Sequence, residues 1–428
     1  MNILFFTNTY LPHVGGVAKS VHTLETTFRQ MGHDVRIVAP EFEDAAEDPN
    51  VLRVPAIQKF NGSDFSVRIP IPNVVGNFVE DFKPDIVHSH HPFLLGDAAL
   101  RIARRWEIPI VFTHHTLYER YTHYVPFDSP TLKRMAVQLS TEYCNLCDLI
   151  VAPSESIAAL LKKRGVETPI EPVPTGIDID AYTGNQGDAF REANGIPPDA
   201  TVIGTVGRLA KEKNLPYLAE AVAGYLKSHT NAVFLVVGDG DAKEEMLSIL
   251  KKGAEEDRIF AVGKLSGQAL LDAYAAMDCF VFASTSETQG IVLAEALAAG
   301  NPVVALDGPG VREVVVDGEN GFLLPGDASP SAFAEGLEKL LDQGETFRSC
   351  AEKARGSVET YTTTVCAERV LSCYQRTMER HDPGEGEVPD FWHRILTDLE
   401  SEWDLMVAKS AAIRVGLNKQ GETEASLD

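Results

Sequence analysis

Short apolar runs alternate with segments of helical length over the first part of the chain. The apolar runs lie at residues 2–6, 34–39, 85–88, 109–112 and 149–152. Residues 16–31, between the first two runs, are predicted to form a helix. Continuous apolar strands that are separated by helices predict a parallel sheet with both faces covered.

A second series of the same kind begins near residue 200. Its strands are predicted at residues 201–206, 232–237, 258–261, 279–282 and 302–305, with a short sixth strand at 321–324. Helices are predicted between them, for example at 215–228 and 267–277. The fold class is therefore α/β, with two doubly wound, Rossmann-like domains. Such sheets bind ligands at the carboxyl ends of their strands, so we expect a ligand in a cleft between the domains.

Proline and glycine residues crowd between the two series, over residues 172–199. This composition predicts a linker. The predicted domains are residues 1–183 and 200–365, joined by a linker at 184–199. Residues 366–410 are predicted to form helices that could cross back to the first domain, and residues 411–428 a flexible tail.

The composition is that of a globular protein in a reducing compartment. Of 428 residues, 44% are hydrophobic and 23% are charged, which is enough apolar sequence for two cores. Six cysteines in so long a chain indicate no disulfide framework. No apolar run approaches the ~18 residues of a membrane-spanning helix, and the first residues lack the pattern of a secretory signal. We therefore expect a cytoplasmic protein.

The net charge is strongly negative but uneven. Lys and Arg number 38 against 62 Asp and Glu, which disfavours nucleic-acid binding because phosphate contacts require a basic surface. Residues 1–183 account for −6 of the net charge of −24, and the remainder for −18. Basic clusters in the first domain could attract anionic lipid headgroups, although solvated helix faces are the simpler interpretation. These clusters contain Arg101, Arg104, Arg105, Lys133, Arg134, Lys162, Lys163 and Arg164.

The segment STSETQGIVLAEALAAG at residues 284–300 is the strongest chemical signal. A polar loop carries Glu287, and Gly290 begins a predicted helix that contains Glu295 and stops at Gly300. Amides at the start of a helix can hold an anion such as a phosphate. The two carboxylates could then bind a sugar hydroxyl and a ribose. The predicted amide donors are those of Gly290, Ile291, Val292 and Leu293.

Two cations follow the first strand of the second domain. GRLAKEKN at residues 207–214 places Arg208 and Lys213 at the cleft, where they could neutralise a leaving nucleoside diphosphate. A basic loop that balances an acidic domain is the alternative. Residues 238–241, Gly-Asp-Gly-Asp, follow the next strand and are predicted to form a tight turn near the nucleotide.

The first domain contributes two further candidate segments. Gly15 and Gly16 follow its first strand, where glycine lets the backbone approach a ligand closely, although a plain turn would have the same composition. Residues 113–126, THHTLYERYTHYVP, follow another strand and are rich in His and Tyr. Such a segment could line a binding site or form an aromatic-rich core loop.

Together these motifs resemble one enzyme family. Glu287 and Glu295, with seven residues between them, are similar to the E-x7-E signature of family-4 retaining glycosyltransferases, which have the two-domain GT-B fold. The resemblance covers nearly all of residues 1–375 and includes TNTYLPHVGGV, VPTGID, GRLAKEKN and VVGDGD. It implies that a hexose is moved from a nucleoside diphosphate sugar to an acceptor hydroxyl with retention of the α configuration.

The resemblance also implies a role for each candidate residue. The catalytic residues would be His115, which lines the reacting face, together with Glu287, Arg208 and Lys213. Donor contacts would come from Gly15, Gly16, the backbone near Leu265, the amides of the Gly290 helix, and Glu295. No cofactor and no metal are implied, because the leaving phosphate would itself take the acceptor proton.

One part of the sequence is similar to a narrower group, the bacterial diacylglycerol glucosyltransferases. The pattern HTLYERYTHYVP resembles a loop that helps those enzymes to receive a lipid, and it implies acceptor contacts from Thr116, Tyr118 and Tyr121. Residues 63–72 resemble the stretch before that loop, with an edge strand as the alternative. UDP-glucose and diacylglycerol are therefore the expected substrates, and the protein could lie peripherally on the inner membrane face.

Two alternatives stay open at this point. One is the same transfer to a soluble sugar, a polyol or a polysaccharide, which the acidic surface favours. The other is a GT-B sugar-nucleotide epimerase or a nucleotide-binding module without transfer activity, which the complete set of candidate residues disfavours.

Three further motifs are assigned no chemistry. Cys144 and Cys147 have redox or zinc spacing but no second pair, so a buried helix pair is expected. The histidines of residues 88–91 have no ligating carboxylates near them in sequence. Asp178 and Asp180 resemble the metal motif of the other main glycosyltransferase fold but lie in the predicted linker region.

Overall fold

A computed structural model of the chain describes residues 1–13, 15–42, 44–57, 67–68, 72–120, 129–284 and 286–382. These residues form two α/β units, which we call the first and the second unit. The strands of the first unit are β1 (Asn2–Phe6), β2 (Asp34–Pro40), β3 (Val51–Val54), β4 (Ala56–Ile57), β5 (Val67–Arg68), β6 (Ile86–Ser89), β7 (Ile110–Thr113), β8 (Leu149–Ala152) and β9 (Ile170–Pro172). Seven of them form a parallel sheet in the order β3-β2-β1-β6-β7-β8-β9, while β4 and β5 pair separately as antiparallel strands.

The second unit is built on a six-stranded sheet, again parallel. Its strands are β10 (Thr201–Val206), β11 (Ala232–Val237), β12 (Ile259–Gly263), β13 (Cys279–Phe282), β14 (Val303–Leu306) and β15 (Gly321–Leu324). They lie in the order β12-β11-β10-β13-β14-β15. Both sheets are therefore doubly wound, because the order reverses once in each.

Helices cover both faces of each sheet. In the first unit they are α1 (Gly16–Gln30), α2 (Pro72–Glu80), α3 (Leu95–Trp106), α4 (Pro130–Asn145) and α5 (Glu155–Lys163). The following helices are α6 (Gly187–Ala193), α7 (Leu215–Ser228), α8 (Lys243–Gly253), α9 (Gln268–Ala275), α10 (Ile291–Ala298), α11 (Pro330–Leu341), α12 (Gly344–Ala354) and α13 (Thr363–Arg380). None of the described helices is long and apolar enough to span a membrane.

The sequence predicts both parallel sheets correctly. Every predicted strand is present, with ends that differ by at most two residues. Two strands of the parallel sheets were not predicted, β3 and β9, which are the two edges of the first sheet. All three residues of β9 are only half-buried, and edge strands of this kind lack the continuous apolar run that marks a buried strand.

The predicted linker at residues 184–199 is not plain coil, since it contains α6. Gly187 lies so close to α9 that a β-carbon on it would stand 2.4 Å from the carbonyl oxygen of Ala275. The guanidinium of Arg191 donates to the carbonyl of Ala276 at 2.9 Å and pairs with Asp278 at 3.0 Å. Helix α6 is therefore packed on the second unit.

The last described helix, α13, packs against the first unit. Val370, Leu371 and Tyr374 share one buried core with residues of α1, β1 and β2. The ring of Tyr374 meets that of Phe28 edge-on, with 5.7 Å between their centroids. Predicted helices after residue 382 and the predicted tail lie outside the described residues.

The strand orders fix where a ligand can bind. The order in which strands are added to the sheet reverses between β1 and β6 in the first sheet, and between β10 and β13 in the second. Loops that leave the carboxyl ends of two such neighbouring strands diverge and open a crevice. The candidate residues Gly15, Arg208, Lys213 and Glu287 all lie on loops of this kind.

Candidate functional site

Two loops of the second unit meet at its crevice. After β10, the backbone carbonyl of Glu212 accepts a hydrogen bond from the Ser286 hydroxyl at 3.1 Å. The Asn214 side-chain amide donates to the carbonyl of Ala283, at the end of β13, at 3.2 Å. This bonding brings the Lys213 ammonium to 2.5 Å from Oε1 of Glu287. The two charges that the sequence predicts to act together are therefore in contact.

Arg208 lies on the first of these loops, but its charge is already paired within it. Its Nη2 donates to the carboxylate of Glu212, one helical turn further along the chain. The Glu212 side chain is 6% exposed and that of Arg208 is 39% exposed. Sequence reasoning did not identify Glu212, because a Glu between two lysines gives no local signal of an internal partner.

The turn at residues 238–240 packs against the loop after β10 that carries Arg208. Gly238 has φ of +144° and a β-carbon on it would lie 1.9 Å from the carbonyl oxygen of Gly207. The amide of Leu209 donates to the carbonyl of Asp239 at 2.9 Å. Only glycine fits at position 238, so this turn fixes the backbone beside Arg208.

Helix α10 begins at the crevice, as the sequence predicts. Gly290 is its N-cap, with φ of +71°, and none of the described side chains caps it. The amides of Ile291 and Val292 thus lie in the first turn, where an α-helix has no internal acceptor for them. Leu293 differs from the prediction: its amide donates to the carbonyl of Gly290 at 2.9 Å and its side chain is fully buried. That predicted donor is used inside the helix.

Glu295 lies further along α10 and is 3% exposed. Its Oε2 accepts a hydrogen bond from the hydroxyl of Tyr274 at 2.8 Å. Its Oε1 accepts one from the ammonium of Lys19, on α1 of the first unit. Each carboxylate oxygen has two lone pairs, so Glu295 keeps capacity for further donors such as ribose hydroxyls. Nothing in the sequence around Lys19 indicates this partner, which is 276 positions away.

His115 lies at the end of β7, inside a buried group of histidines. Its Nε2 shares a hydrogen bond with Nδ1 of His90 at 3.0 Å. His90 in turn stacks obliquely on His88, with 4.1 Å between ring centroids. Burial, reinforced by the rings of His91, His88 and His114, holds the pKa of His115 well below its usual range. His115 is therefore a neutral imidazole.

Gly15 and Gly16 begin α1 at the facing edge of the first sheet. Gly15 is the N-cap and no described side chain caps this helix. Gly16 is exposed, and a β-carbon on it would meet no described atom within 4 Å. Packing among the described residues therefore does not require glycine at position 16.

The residues predicted to contact the acceptor and the base are largely engaged in internal packing or lie outside the described residues. Tyr118 packs edge-on against Phe93, with 5.3 Å between centroids, and burial raises its pKa. Thr116 is half-buried beside it. Leu265 follows β12, and its side chain packs on the core of the second unit, which leaves its backbone for contacts. Tyr121 and most of residues 63–72 lie outside the described residues.

The motifs that were assigned no chemistry have structural partners. Cys144 and Cys147 are both buried, and burial raises the pKa of Cys144 to about 12, so its thiol stays protonated. Asp180 is exposed and pairs with Arg355 at 2.8 Å. Among the described residues, no three His, Cys, Asp or Glu side chains are grouped as they would be around a metal ion.

The arrangement suits the stabilisation of a developing anion. Lys213, Arg208 and the first amides of α10 all lie at the carboxyl edge of the second sheet. Cations and helix amides held in fixed positions stabilise charge that grows in a transition state, because they need not reorganise. The neutral His115 and the small residues of α1 lie on the opposite wall.

Comparison with known proteins agrees with this geometry. A family model described as Glycosyltransferase Family 4 matches residues 14–181, and one described as Glycosyl transferases group 1 matches residues 186–357. The alpha-monoglucosyldiacylglycerol synthase of Acholeplasma laidlawii is 28% identical and covers 89% of this chain and 98% of its own. The enzyme of the same name from Streptococcus pneumoniae is 30% identical, over 81% of this chain and 80% of its own.

Other similar proteins differ in what their names specify. A GDP-mannose-dependent alpha-mannosyltransferase of Mycolicibacterium smegmatis is 28% identical, over 89% of this chain and 98% of its own. The solved structure of a sucrose-phosphate synthase from Thermosynechococcus elongatus superposes with a TM-score of 0.73 at 18% identity, over 88% of this chain and 99% of its own. This similarity confirms the predicted GT-B fold.

Proposed function

The chain belongs to the glycosyltransferases of family 4 and group 1, and from this we propose that it transfers glucose from UDP-glucose to a diacylglycerol-type lipid, with retention of configuration. The contact between Lys213 and Glu287 at the crevice carries the proposal. It supplies a cation for the leaving diphosphate and a carboxylate for the sugar. The loops after β10 and β13 hold these two groups at the crevice.

We assign most of the donor contacts to the second unit, while Gly15 and Gly16 of the first unit would approach the diphosphate from across the cleft. Lys213, Arg208 and the amides of Ile291 and Val292 would bind the diphosphate, and Glu287 would orient the sugar. Glu295 would accept the ribose hydroxyls on its remaining lone pairs. The backbone near Leu265 would contact the base.

The reaction proposed is a front-face substitution. The bond between the anomeric carbon and the diphosphate oxygen breaks, and the acceptor oxygen bonds to the same face of that carbon. The acceptor proton passes to the leaving diphosphate, so no enzymic base is needed. The neutral ring of His115 would line this face, and closure of the two units would exclude water.

The lipid acceptor is supported by two observations. The relatives from A. laidlawii and S. pneumoniae are, by their names, synthases of alpha-monoglucosyldiacylglycerol. The first unit also presents exposed cations near the acceptor side, on α4 and α5, where anionic headgroups could approach. The mannosyltransferase relative indicates a second candidate reaction, the transfer of mannose from GDP-mannose.

A donor-by-acceptor screen tests the proposal. The purified chain is incubated with UDP-glucose, UDP-galactose or GDP-mannose, and with either diacylglycerol vesicles or soluble sugars, while nucleotide release and product are measured. Release of UDP with an α-glucosyl lipid product is the expected result. Transfer only to soluble sugars would refute the lipid acceptor, and interconversion of the UDP-sugars would indicate an epimerase.

A further inference from the structure

The loop that carries Glu287 is bonded to the first unit by the next residue. The hydroxyl of Thr288 donates to the backbone carbonyl of His115 at 2.9 Å. The carbonyl of Thr288 accepts a hydrogen bond from the hydroxyl of Ser154, at the start of α5, at 2.8 Å. Thr288 thus makes both a donor and an acceptor contact across the boundary between the units.

Gln289 makes a second connection of the same loop. Its side-chain Nε2 donates to the carbonyl of Thr175 at 2.8 Å, and its Oε1 accepts from the amide of Thr175 at 2.7 Å. Thr175 follows β9 and its hydroxyl is hydrogen-bonded to that of Ser20 on α1 at 2.8 Å. Gln289 is 5% exposed, so both bonds are shielded from water.

These contacts link the two sides of the proposed reaction. Glu287 belongs to the donor side and His115 to the acceptor side. Thr288, the residue after Glu287, connects the two sides through its hydrogen bond to the carbonyl of His115. When the units separate, the Thr288 hydroxyl loses its acceptor, and the loop keeps only its bonds within the second unit, such as that of Ser286 to the carbonyl of Glu212. The position of Glu287 therefore depends on contact between the units.

We infer that Thr288 is a positioning residue that places Glu287 for transfer only when the two units are in contact. The inference rests on the proposed function, because it assigns Glu287 to the donor sugar. It predicts a defect in turnover without a defect in nucleotide binding, since most of the proposed nucleotide contacts lie on the second unit. A displaced Glu287 should also favour attack by water over attack by the acceptor.

Thr288→Val tests this, because it keeps the shape of the side chain and removes the hydroxyl. With both substrates saturating, kcat should fall about tenfold, the size expected for one lost hydrogen bond that positions a reacting group. The dissociation constant for UDP, measured by calorimetry, should stay within about twofold, and the ratio of donor hydrolysis to transfer should rise. Thr288→Ser keeps the hydroxyl and should restore kcat to within about threefold of wild type.

Thr168→Val is the matched control. The Thr168 hydroxyl also donates to a backbone carbonyl, that of Cys144, at 2.9 Å, but entirely within the first unit. Its kcat and hydrolysis ratio should match wild type. Gln289→Leu provides an independent check, since it removes the other cross-unit bonds and should reproduce the defect of Thr288→Val.

The outcomes separate the inference from the proposed function. A wild-type chain without transfer activity on any donor would refute the proposed function. An active wild type with kcat of Thr288→Val unchanged would refute the inference alone. Equal loss in Thr288→Ser and Thr288→Val would also refute it, because the hydroxyl would then not be the cause.

Discussion

The Lys213 ammonium lies 2.5 Å from Oε1 of Glu287, with side chains that are 22% and 15% exposed. Each charge is therefore held in place by the other at the edge of the cleft. We expect Glu287→Gln and Lys213→Ala each to lose most transfer activity, because removing one group from a preorganised polar site raises the barrier by ~2.7–4 kcal/mol. Initial rates of UDP release measure the loss.

The folded state should tolerate both substitutions, since water in the cleft can replace the lost partner. Melting temperatures near that of the wild type check this. The exposed ion pair of Lys251 and Glu256 has the same separation, 2.5 Å, and serves as the control. Lys251→Ala and Glu256→Gln should leave activity unchanged. Near wild-type turnover in both cleft variants would overturn the assignment of the donor site.

Transfer should not require a divalent cation. Lys213, Arg208 and the first amides of α10 together can neutralise the charge that grows on a leaving diphosphate, which is the task of a metal in many phosphate enzymes. Activity measured in excess EDTA should stay within about twofold of the untreated value. A larger loss that magnesium or manganese restores would mean that these cations do not suffice.

The fold can be predicted from the sequence because a buried strand appears in it as a continuous apolar run. Strands such as β11, whose residues are all buried, are continuous apolar runs, and such runs in alternation with helices are typical of a parallel sheet that is covered on both faces. The edge strand β9 is half-exposed and shows no such run. Helix α6 was missed because the glycine and proline residues around it indicate a linker.

The candidate site was predicted only as far as its residues lie in local motifs. Glu287, Glu295 and Lys213 belong to short segments with recognisable spacing. Lys19 is different, because its partner Glu295 is brought to it by the packing of two units. A polar residue on an exposed helix face has no sequence feature that distinguishes a solvent contact from a contact with a distant segment.

Acid should destabilise the fold through His114. Neither of its buried ring nitrogens has a hydrogen-bond partner in the described part of the chain, and burial lowers its pKa to about 4. Between about pH 6.5 and pH 4 the unfolded chain binds a proton that the folded protein excludes. The free energy of unfolding therefore decreases as the pH is lowered through this window. His114→Phe should remove this loss, about 2 kcal/mol near pH 5.

Thermal unfolding at two pH values measures the effect. The Phe ring would occupy the space between Phe112 and Tyr118, whose rings lie edge-on to His114 at 5.8 and 5.9 Å. At about pH 8 the histidine is neutral in both states, so the difference between variant and wild type there reports packing alone. The variant should gain in melting temperature relative to wild type as the pH is lowered to about 5. An equal difference at both pH values would contradict the role of the proton.

Anionic membranes should bind the first unit through exposed cations on α4 and α5. Three of the basic residues singled out in the sequence are paired inside the first unit: Arg101 pairs with Asp97 at 2.6 Å, Arg104 donates to the carbonyl of Leu146 at 3.0 Å, and Arg164 pairs with Glu119 at 2.5 Å. The membrane variant therefore replaces exposed cations with Gln, at Lys133, Arg134, Lys162 and Lys163. Each cation near an anionic surface contributes about 1 kcal/mol, screened by salt.

Co-sedimentation of the full chain with vesicles gives the measurement. Wild type should pellet with vesicles rich in anionic lipid, less with zwitterionic ones, and should be released by high salt. The four-fold variant should bind anionic vesicles at least about tenfold more weakly. A control with the same change in net charge replaces exposed lysines of the second unit, at Lys227, Lys252, Lys339 and Lys353. Because this control keeps the cations of α4 and α5, it should bind as wild type does; equal loss in both variants would show that net charge, not this face, governs binding.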